Sequence, residues 1–192
     1  ARHPAIVVLV PDGTTAEAKD VIVALGPWRA YDLRILRGGL NHAVEQLARK
    51  TVGFVSALAL IRVGAEVWIA AAKYDEHASA NRFSPSAPYG PPAGIYLFAL
   101  RDRQIVEVGY FANPGRPRYE LPLLVADLDG DGQDDLVVGA RGPDAGDDSS
   151  SYTAVLRQHH GAFLTSLVIR GLHVHAALEL DGDPARELLV SS

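Results

Sequence analysis

The feature that most constrains this 192-residue chain is an acidic stretch, DLDGDGQDDLVVGA, which spans residues 127–140. Three aspartates stand at alternate positions, with glycines between and after them. Because so many carboxylates within nine residues repel one another unless a cation bridges them, the stretch indicates a site for a hard divalent cation with oxygen ligands. The glycines allow the backbone to turn tightly enough for successive side chains to converge on one point.

The predicted ligands of this cation are four aspartate side chains and one backbone carbonyl: Asp127, Asp129, Asp131 and Asp135, with the carbonyl of Gln133. An EF-hand loop begins in a similar way, but it requires a bidentate glutamate at its twelfth position. The twelfth residue here is Val138, which lies in an apolar run. We therefore expect the loop to close at its ninth position and to lead directly into a β-strand. The alternative is an acidic, solvated turn between two strands.

The pattern Asp-x-Asp-Gly-Asp-Gly-x-x-Asp, followed by Leu-Val-Val-Gly-Ala, resembles the calcium loop of FG-GAP and VCBS repeats. These repeats form the blades of integrin-α-like β-propellers. The resemblance is specific over about fourteen residues and looser over the rest of the chain. It implies that the ion is Ca²⁺ and that the location is extracellular, periplasmic or lumenal, where calcium is abundant enough to fill weak sites.

A second copy of the acidic loop occurs 52 residues downstream, where residues 179–190 read ELDGDPARELLV. Its acidic residues align with the four aspartates of the first loop, and they are Glu179, Asp181, Asp183 and Glu187. Pro184 replaces the glycine at the sixth position, and two glutamates replace aspartates. We therefore expect this loop to form a weaker calcium site.

An upstream segment repeats the strands without the acids, because residues 66–71 align with residues 135–140 and retain only Glu66 of the acidic set. Four apolar runs are interpreted as equivalent strands, and they begin at Ile6, Val67, Leu136 and Leu188. The chain is thus predicted to be one domain of about three repeats. Their approximate bounds are 5–66, 67–135 and 136–187, with a closing strand over 188–192.

Each repeat also contains two strand-like segments joined by a short turn, and these pairs are residues 31–36 with 40–47, 96–101 with 104–108, and 152–157 with 162–168. We therefore predict an all-β fold of propeller blades, each a four-stranded antiparallel sheet. Closed propellers have four to eight blades, so three repeats imply a partial propeller, or one completed by other subunits or by a larger chain. Helical periodicity over residues 41–50 leaves an amphipathic helix as the alternative there.

Composition excludes several classes of function. The net charge is −5 and no block of Lys or Arg is present, so nucleic acid is not an expected partner. The chain has no cysteine and hence no disulfide or thiolate metal site. Residues 51–72 are long and apolar enough to suggest a membrane span, but Arg62 and Glu66 would then lie near the bilayer midplane at high cost. Membrane association is expected only through a complex.

The predicted function is a non-catalytic, calcium-stabilised scaffold or recognition module that binds a protein or glycan partner. Polar insertions rich in glycine and proline, at residues 75–92, 112–118 and 141–151, are expected at the blade rims, where propellers usually bind partners. The sequence has no nucleophile-elbow motif or other constellation that indicates an enzyme. Alternatives are an accessory subunit of a membrane-associated complex and a non-catalytic part of a larger secreted enzyme.

Overall fold

The computed structural model describes residues 6–11, 18–24, 32–39, 45–53, 55–73, 94–112, 122–140 and 151–191. Within these ranges the chain forms β-strands and no helix. The strands assemble into three four-stranded antiparallel sheets and one two-stranded sheet. In each four-stranded sheet, strands that are consecutive in the sequence lie side by side.

The first sheet contains β1 (Ile6–Pro11), β2 (Ala18–Ala24), β3 (Asp32–Gly39) and β4 (Glu45–Thr51). The second contains β5 (Val55–Val63), β6 (Glu66–Lys73), β7 (Gly94–Arg101) and β8 (Gln104–Ala112). The third contains β9 (Leu123–Ala126), β10 (Asp135–Ala140), β11 (Tyr152–His159) and β12 (Ala162–Arg170). The two-stranded sheet pairs β13 (His173–Leu178) with β14 (Glu187–Ser191).

The sheets pack face to face in chain order, and each interface is an apolar cluster. Residues from both faces of the second sheet are buried, one set against the first sheet and the other against the third. This explains why β7 is a continuous apolar run, since a strand covered on both sides gains nothing from alternating polar residues. The two-stranded sheet covers part of the free face of the third sheet through Val174, Leu188 and Val190.

The predicted fold class is confirmed, because the described chain is built of four-stranded antiparallel sheets. Residues 45–51 form a strand, as predicted, and the helical alternative is wrong for them; residues 41–44 lie outside the described ranges. The apolar segment considered as a membrane span forms the antiparallel strands β5 and β6 instead. No helix in the described part of the chain is long and apolar enough to cross a membrane.

One predicted equivalence is wrong. Ile6 was aligned with Leu136, which lies in the second strand of its sheet, but Ile6 lies in β1, the first strand. A short apolar run is compatible with either the first or the second strand of a sheet, so periodicity alone cannot assign it to one of them. The sheets span residues 6–51, 55–112 and 123–170. The predicted repeats, 5–66, 67–135 and 136–187, therefore each end about one strand after the corresponding sheet ends. Almost all of the predicted rim insertions lie outside the described residues.

Candidate metal centre

The predicted calcium loop connects β9 with β10, and one aspartate organises its turn. The Oδ1 atom of Asp127 accepts the backbone N–H groups of Gly130 (2.8 Å) and Asp131 (3.2 Å). Its Oδ2 atom accepts the N–H of Gly132 at 2.8 Å. Gly130 and Gly132 have φ values of 74° and 80°, in the left-handed region that glycine adopts without a steric penalty. The glycines of the motif thus wrap the backbone around the first carboxylate.

The side chains of Asp127, Asp129 and Asp131 converge. Each offers a carboxylate oxygen, and these oxygens all lie within 4.8 Å of one another. Calcium binds oxygen at about 2.3–2.6 Å, so two ligands of one ion lie no more than about 5 Å apart. The three oxygens therefore fit a single calcium ion. Asp129 and Asp131 are exposed and Asp127 is half-buried, so the cluster is open to ions from solvent.

Asp135, the predicted fourth side-chain ligand, lies outside this group of three and is almost fully buried. Its Oδ1 accepts the N–H of Gln158 at 3.0 Å, and its Oδ2 accepts the N–H of Leu128 at 3.2 Å. Burial raises the pKa of the Asp135 carboxyl, and the two N–H donors partly oppose that rise. Asp135 thus ties the start of the loop to β11, in addition to any contact with an ion.

Gln133, whose carbonyl was the predicted fifth ligand, contacts Asp131 through its nitrogen atoms. Its backbone N–H donates to Asp131 Oδ1 and its side-chain Nε2 to Asp131 Oδ2, both at 2.8 Å. These contacts hold the Asp131 carboxylate in place without involving the carbonyl. The carbonyl therefore stays a predicted ligand.

The second acidic loop connects β13 with β14 and has a similar arrangement. Carboxylate oxygens of Asp181, Asp183 and Glu187 lie within 4.8 Å of one another. Glu179 lies outside this group and accepts a hydrogen bond from Arg186 at 3.1 Å. The N–H of Leu180 donates to Glu187 Oε2 at 3.0 Å, as the N–H of Leu128 does to Asp135. The offset of 52 residues between the loops therefore aligns positions with the same hydrogen-bonding role.

The two acidic loops touch. The backbone N–H of Arg186, in the second loop, donates to the carbonyl of Asp127 at 2.9 Å. A β-carbon added at Gly130 would come within 3.0 Å of Pro184 Cγ, so the absence of a side chain allows this approach. The proline that departs from the calcium-loop pattern is therefore a packing residue at the junction between the third sheet and the two-stranded sheet.

The first loop also contacts the second sheet through residues that the sequence pattern did not reveal. Asp134 accepts the backbone N–H of Arg62 at 2.9 Å. The buried side-chain amide of Gln158 donates to the carbonyls of Arg62 (3.1 Å) and Asp134 (3.2 Å). Both backbone groups of Arg62 are thereby bonded to the third sheet. The acidic loop thus lies at the junction of three sheets.

Arg157, on β11, was also missed. Its guanidinium NH1 lies 2.9 Å from Asp129 Oδ2, so a fixed positive charge contacts one of the three converging carboxylates. Both side chains are partly exposed, which limits the strength of this ion pair. In the sequence, Arg157 is an isolated arginine near the end of an apolar strand. Such a residue is most simply interpreted as a solvated side chain, so the sequence does not indicate its contact with Asp129.

The architecture defines the class: antiparallel β-sheets stacked like the blades of a propeller, with an acidic loop between the first two strands of a blade. The FG-GAP repeat family model matches residues 123–156, which extend from β9 into β11 and include the whole acidic loop. The chain therefore carries an FG-GAP repeat, the family that the acidic loop resembles, and is a β-propeller-like module. A search of curated proteins found no match.

Proposed function

We propose that the protein is a non-catalytic, calcium-stabilised recognition module that binds a protein or glycan partner through its rim loops. The observation that supports calcium is the convergence of three carboxylate oxygens within 4.8 Å of one another, in a loop of the calcium-binding pattern. Asp127, Asp129 and Asp131 would hold the ion, with Asp135 and the carbonyl of Gln133 as further candidate ligands. The second loop would provide a weaker site.

Bound calcium would supply the positive charge that offsets repulsion among the converging carboxylates. The chain's own residues position the site, since backbone N–H groups orient Asp127 and the nitrogen atoms of Gln133 orient Asp131. The loop contacts the second sheet at Arg62 and the second loop at Arg186. Fixing the loop would therefore stabilise two junctions between sheets, which suits a scaffold that presents rim loops.

The direct test is thermal unfolding in millimolar calcium and in excess chelator. At a calcium concentration about 20 times the dissociation constant, binding should stabilise the fold by about 1.8 kcal/mol. For a chain of this length, that corresponds to a rise in Tm of about 4–7 °C. Asp129→Ala should lose most of the shift. Glu107→Ala, which removes an exposed carboxylate from β8, should keep it. A wild-type protein whose Tm is the same in calcium and chelator would mean that the acidic loop is a solvated turn.

The charge of Arg157 should weaken calcium binding. Two unit charges about 4 Å apart in water interact by about 1 kcal/mol, so the doubly charged calcium ion would be repelled by about 2 kcal/mol at that distance. Replacing this arginine by glutamine should therefore tighten binding by about 30-fold at low salt, and by less at high salt. Calcium titration by calorimetry, at low and at high salt, measures the change. Arg103→Gln removes the same charge from the β7–β8 turn and should leave the affinity unchanged. Equal affinities of Arg157→Gln and wild type would show that Arg157 does not oppose the ion.

The FG-GAP repeat supports the recognition role and an extracytoplasmic location, because such repeats are often used in protein recognition and are typically exposed outside the cytoplasm. Weak calcium sites of this kind are filled where calcium is abundant. Glycan arrays and pull-downs with candidate surface proteins, each run in calcium and in chelator, test the partner. If binding depends on calcium but is unchanged when the rim loops are replaced by unrelated, uncharged loops, the partner does not bind at the rim loops.

A further inference from the structure

The second acidic loop departs from the glycine pattern of the first at Pro184, and this residue changes the hydrogen bonds of its loop. The equivalent residue of the first loop is Gly132, whose N–H donates to Asp127 Oδ2 at 2.8 Å. Proline has no N–H and cannot adopt the positive φ of Gly132. Pro184 therefore cannot orient the equivalent carboxylate, that of Glu179, which bonds to the side chain of Arg186.

The segment that contains Pro184 lies against the turn of the first loop. A β-carbon added at Gly130 would be 3.0 Å from Pro184 Cγ and 3.4 Å from the backbone nitrogen of Ala185. Gly130 has a φ of 74°, and its N–H donates to Asp127 Oδ1 at 2.8 Å. The ring of Pro184 thus backs the left-handed turn that separates two of the three converging carboxylates.

A main-chain hydrogen bond holds the first predicted ligand from the same side. The N–H of Arg186 donates to the carbonyl of Asp127 at 2.9 Å. Asp127 is thereby held twice, at its carbonyl by the second loop and at its carboxylate by three N–H groups of its own turn. A shift of the main chain at Asp127 would therefore displace the carboxylate around which the first loop is wrapped.

The supporting segment is itself fixed by acidic residues of the second loop. The N–H of Ala185 donates to Asp183 Oδ1 at 2.8 Å. The guanidinium of Arg186 donates to Glu179 Oε2 at 3.1 Å. These carboxylates therefore have partners within the protein, and they hold the segment in place without requiring an ion in the second loop.

We propose that Pro184 and Arg186 are positioning residues that set the calcium affinity of the first loop. This role rests on the proposed calcium function of that loop, but it does not require calcium in the second loop. A loop that is held in its binding geometry before the ion arrives loses less conformational freedom upon binding, and it therefore binds more tightly. Because the ring of proline fixes φ, Pro184 makes a stiffer support than the glycine of the calcium-loop pattern would.

The test is Pro184→Gly in the whole protein, because it restores the glycine of the calcium-loop pattern. If Pro184 only weakened a calcium site in the second loop, the substitution would tighten binding there and leave the first loop unchanged. Loss of the support should weaken calcium binding at the first loop about fivefold, which corresponds to about 1 kcal/mol. Calcium titration followed by NMR separates the two loops, since the amides of Gly130 and Gly132 report on the first loop and that of Gly182 on the second.

The matched control is Pro122→Gly. Pro122 is also an exposed proline packed against a glycine, because its Cγ lies 2.9 Å from a β-carbon added at Gly139. It precedes β9, whereas the first loop follows β9, so this substitution should leave the calcium affinity unchanged. Hydrogen exchange in excess chelator tests the support without any ion. Pro184→Gly should speed the exchange of the Gly130 amide about fivefold, and Pro122→Gly should not change it.

Equal first-loop affinities of Pro184→Gly and wild type would overturn the proposal, and so would an equal loss of affinity in Pro122→Gly. Unchanged exchange of the Gly130 amide in Pro184→Gly would overturn it as well, because the support would then be absent. Wild-type amides of the first loop that do not respond to calcium would overturn the proposed calcium function and, with it, any control of affinity. The titration of the wild type thus distinguishes failure of the calcium site from failure of the positioning role, which only the variants test.

Discussion

Replacing Asp135 by alanine should destabilise the protein by about 2–5 kcal/mol. The substitution leaves two backbone donors without their acceptor: the N–H group of Gln158, whose bond to Asp135 is buried, and that of Leu128, whose bond is part-buried. Each buried donor left unsatisfied costs about 1–3 kcal/mol. Urea unfolding in excess chelator measures this loss separately from any loss of bound calcium.

The matched control for this prediction is Glu66→Ala. Glu66 begins β6 as Asp135 begins β10, but its side chain is half exposed and, among the described residues, bonds only to the side chains of Trp68 and Arg101. Interactions of that kind contribute less than about 1 kcal/mol. If both substitutions lower the free energy of unfolding equally, the buried N–H bonds of Asp135 are not what holds the loop to β11.

Asp135 also has a role in the fold that the calcium-loop motif does not indicate. The spacing of the aspartates predicts that Asp135 is a ligand, but no local pattern indicates that its oxygens accept N–H groups from residues 7 positions before it and 23 positions after it. The two roles are compatible, because an ionised carboxylate has about four lone-pair sites. A cation nearby would moreover favour the ionised form, against the rise in pKa that burial causes.

The features that the sequence predicts well are local. The acidic loop, the strand that follows it and the outer hairpins each depend on residues fewer than about twenty positions apart, so their spacing alone carries the information. The FG-GAP repeat is likewise visible, because its motif occupies one continuous stretch. The second acidic loop follows from comparison with the first at a fixed offset.

The features that the sequence does not predict depend on the stacking of sheets. The bond from Gln158 to the carbonyl of Arg62 joins residues 96 positions apart, and that from Arg62 to Asp134 joins residues 72 apart. Neither pair belongs to a recognisable motif, and each forms only when the second and third sheets pack at one particular offset. The equivalence of Ile6 failed for the same reason, since the order of strands within a sheet is a tertiary property.

Gly94→Ala should destabilise the second sheet by about 3 kcal/mol, the upper end of the cost of overpacking. Gly94 is the first residue of β7, and a β-carbon there would overlap the ring of Tyr110 and lie 2.5 Å from the carbonyl oxygen of Phe111. The ring could rotate away, but a backbone oxygen in a paired strand cannot. β7 and β8 would have to separate locally.

Gly109→Ala, on the neighbouring strand, is the control for Gly94→Ala. Its added β-carbon would contact the Leu97 side chain, most closely Cδ1 at 3.3 Å, and that methyl group can shift by a small torsion. The alanine also restricts the unfolded chain, a gain of about 0.4–1 kcal/mol, so the net change should be close to zero. Urea midpoints compare the two variants directly. Similar midpoints would mean that β7 can move away from β8 at little cost, and that the close approach at Gly94 does not set the spacing of these strands.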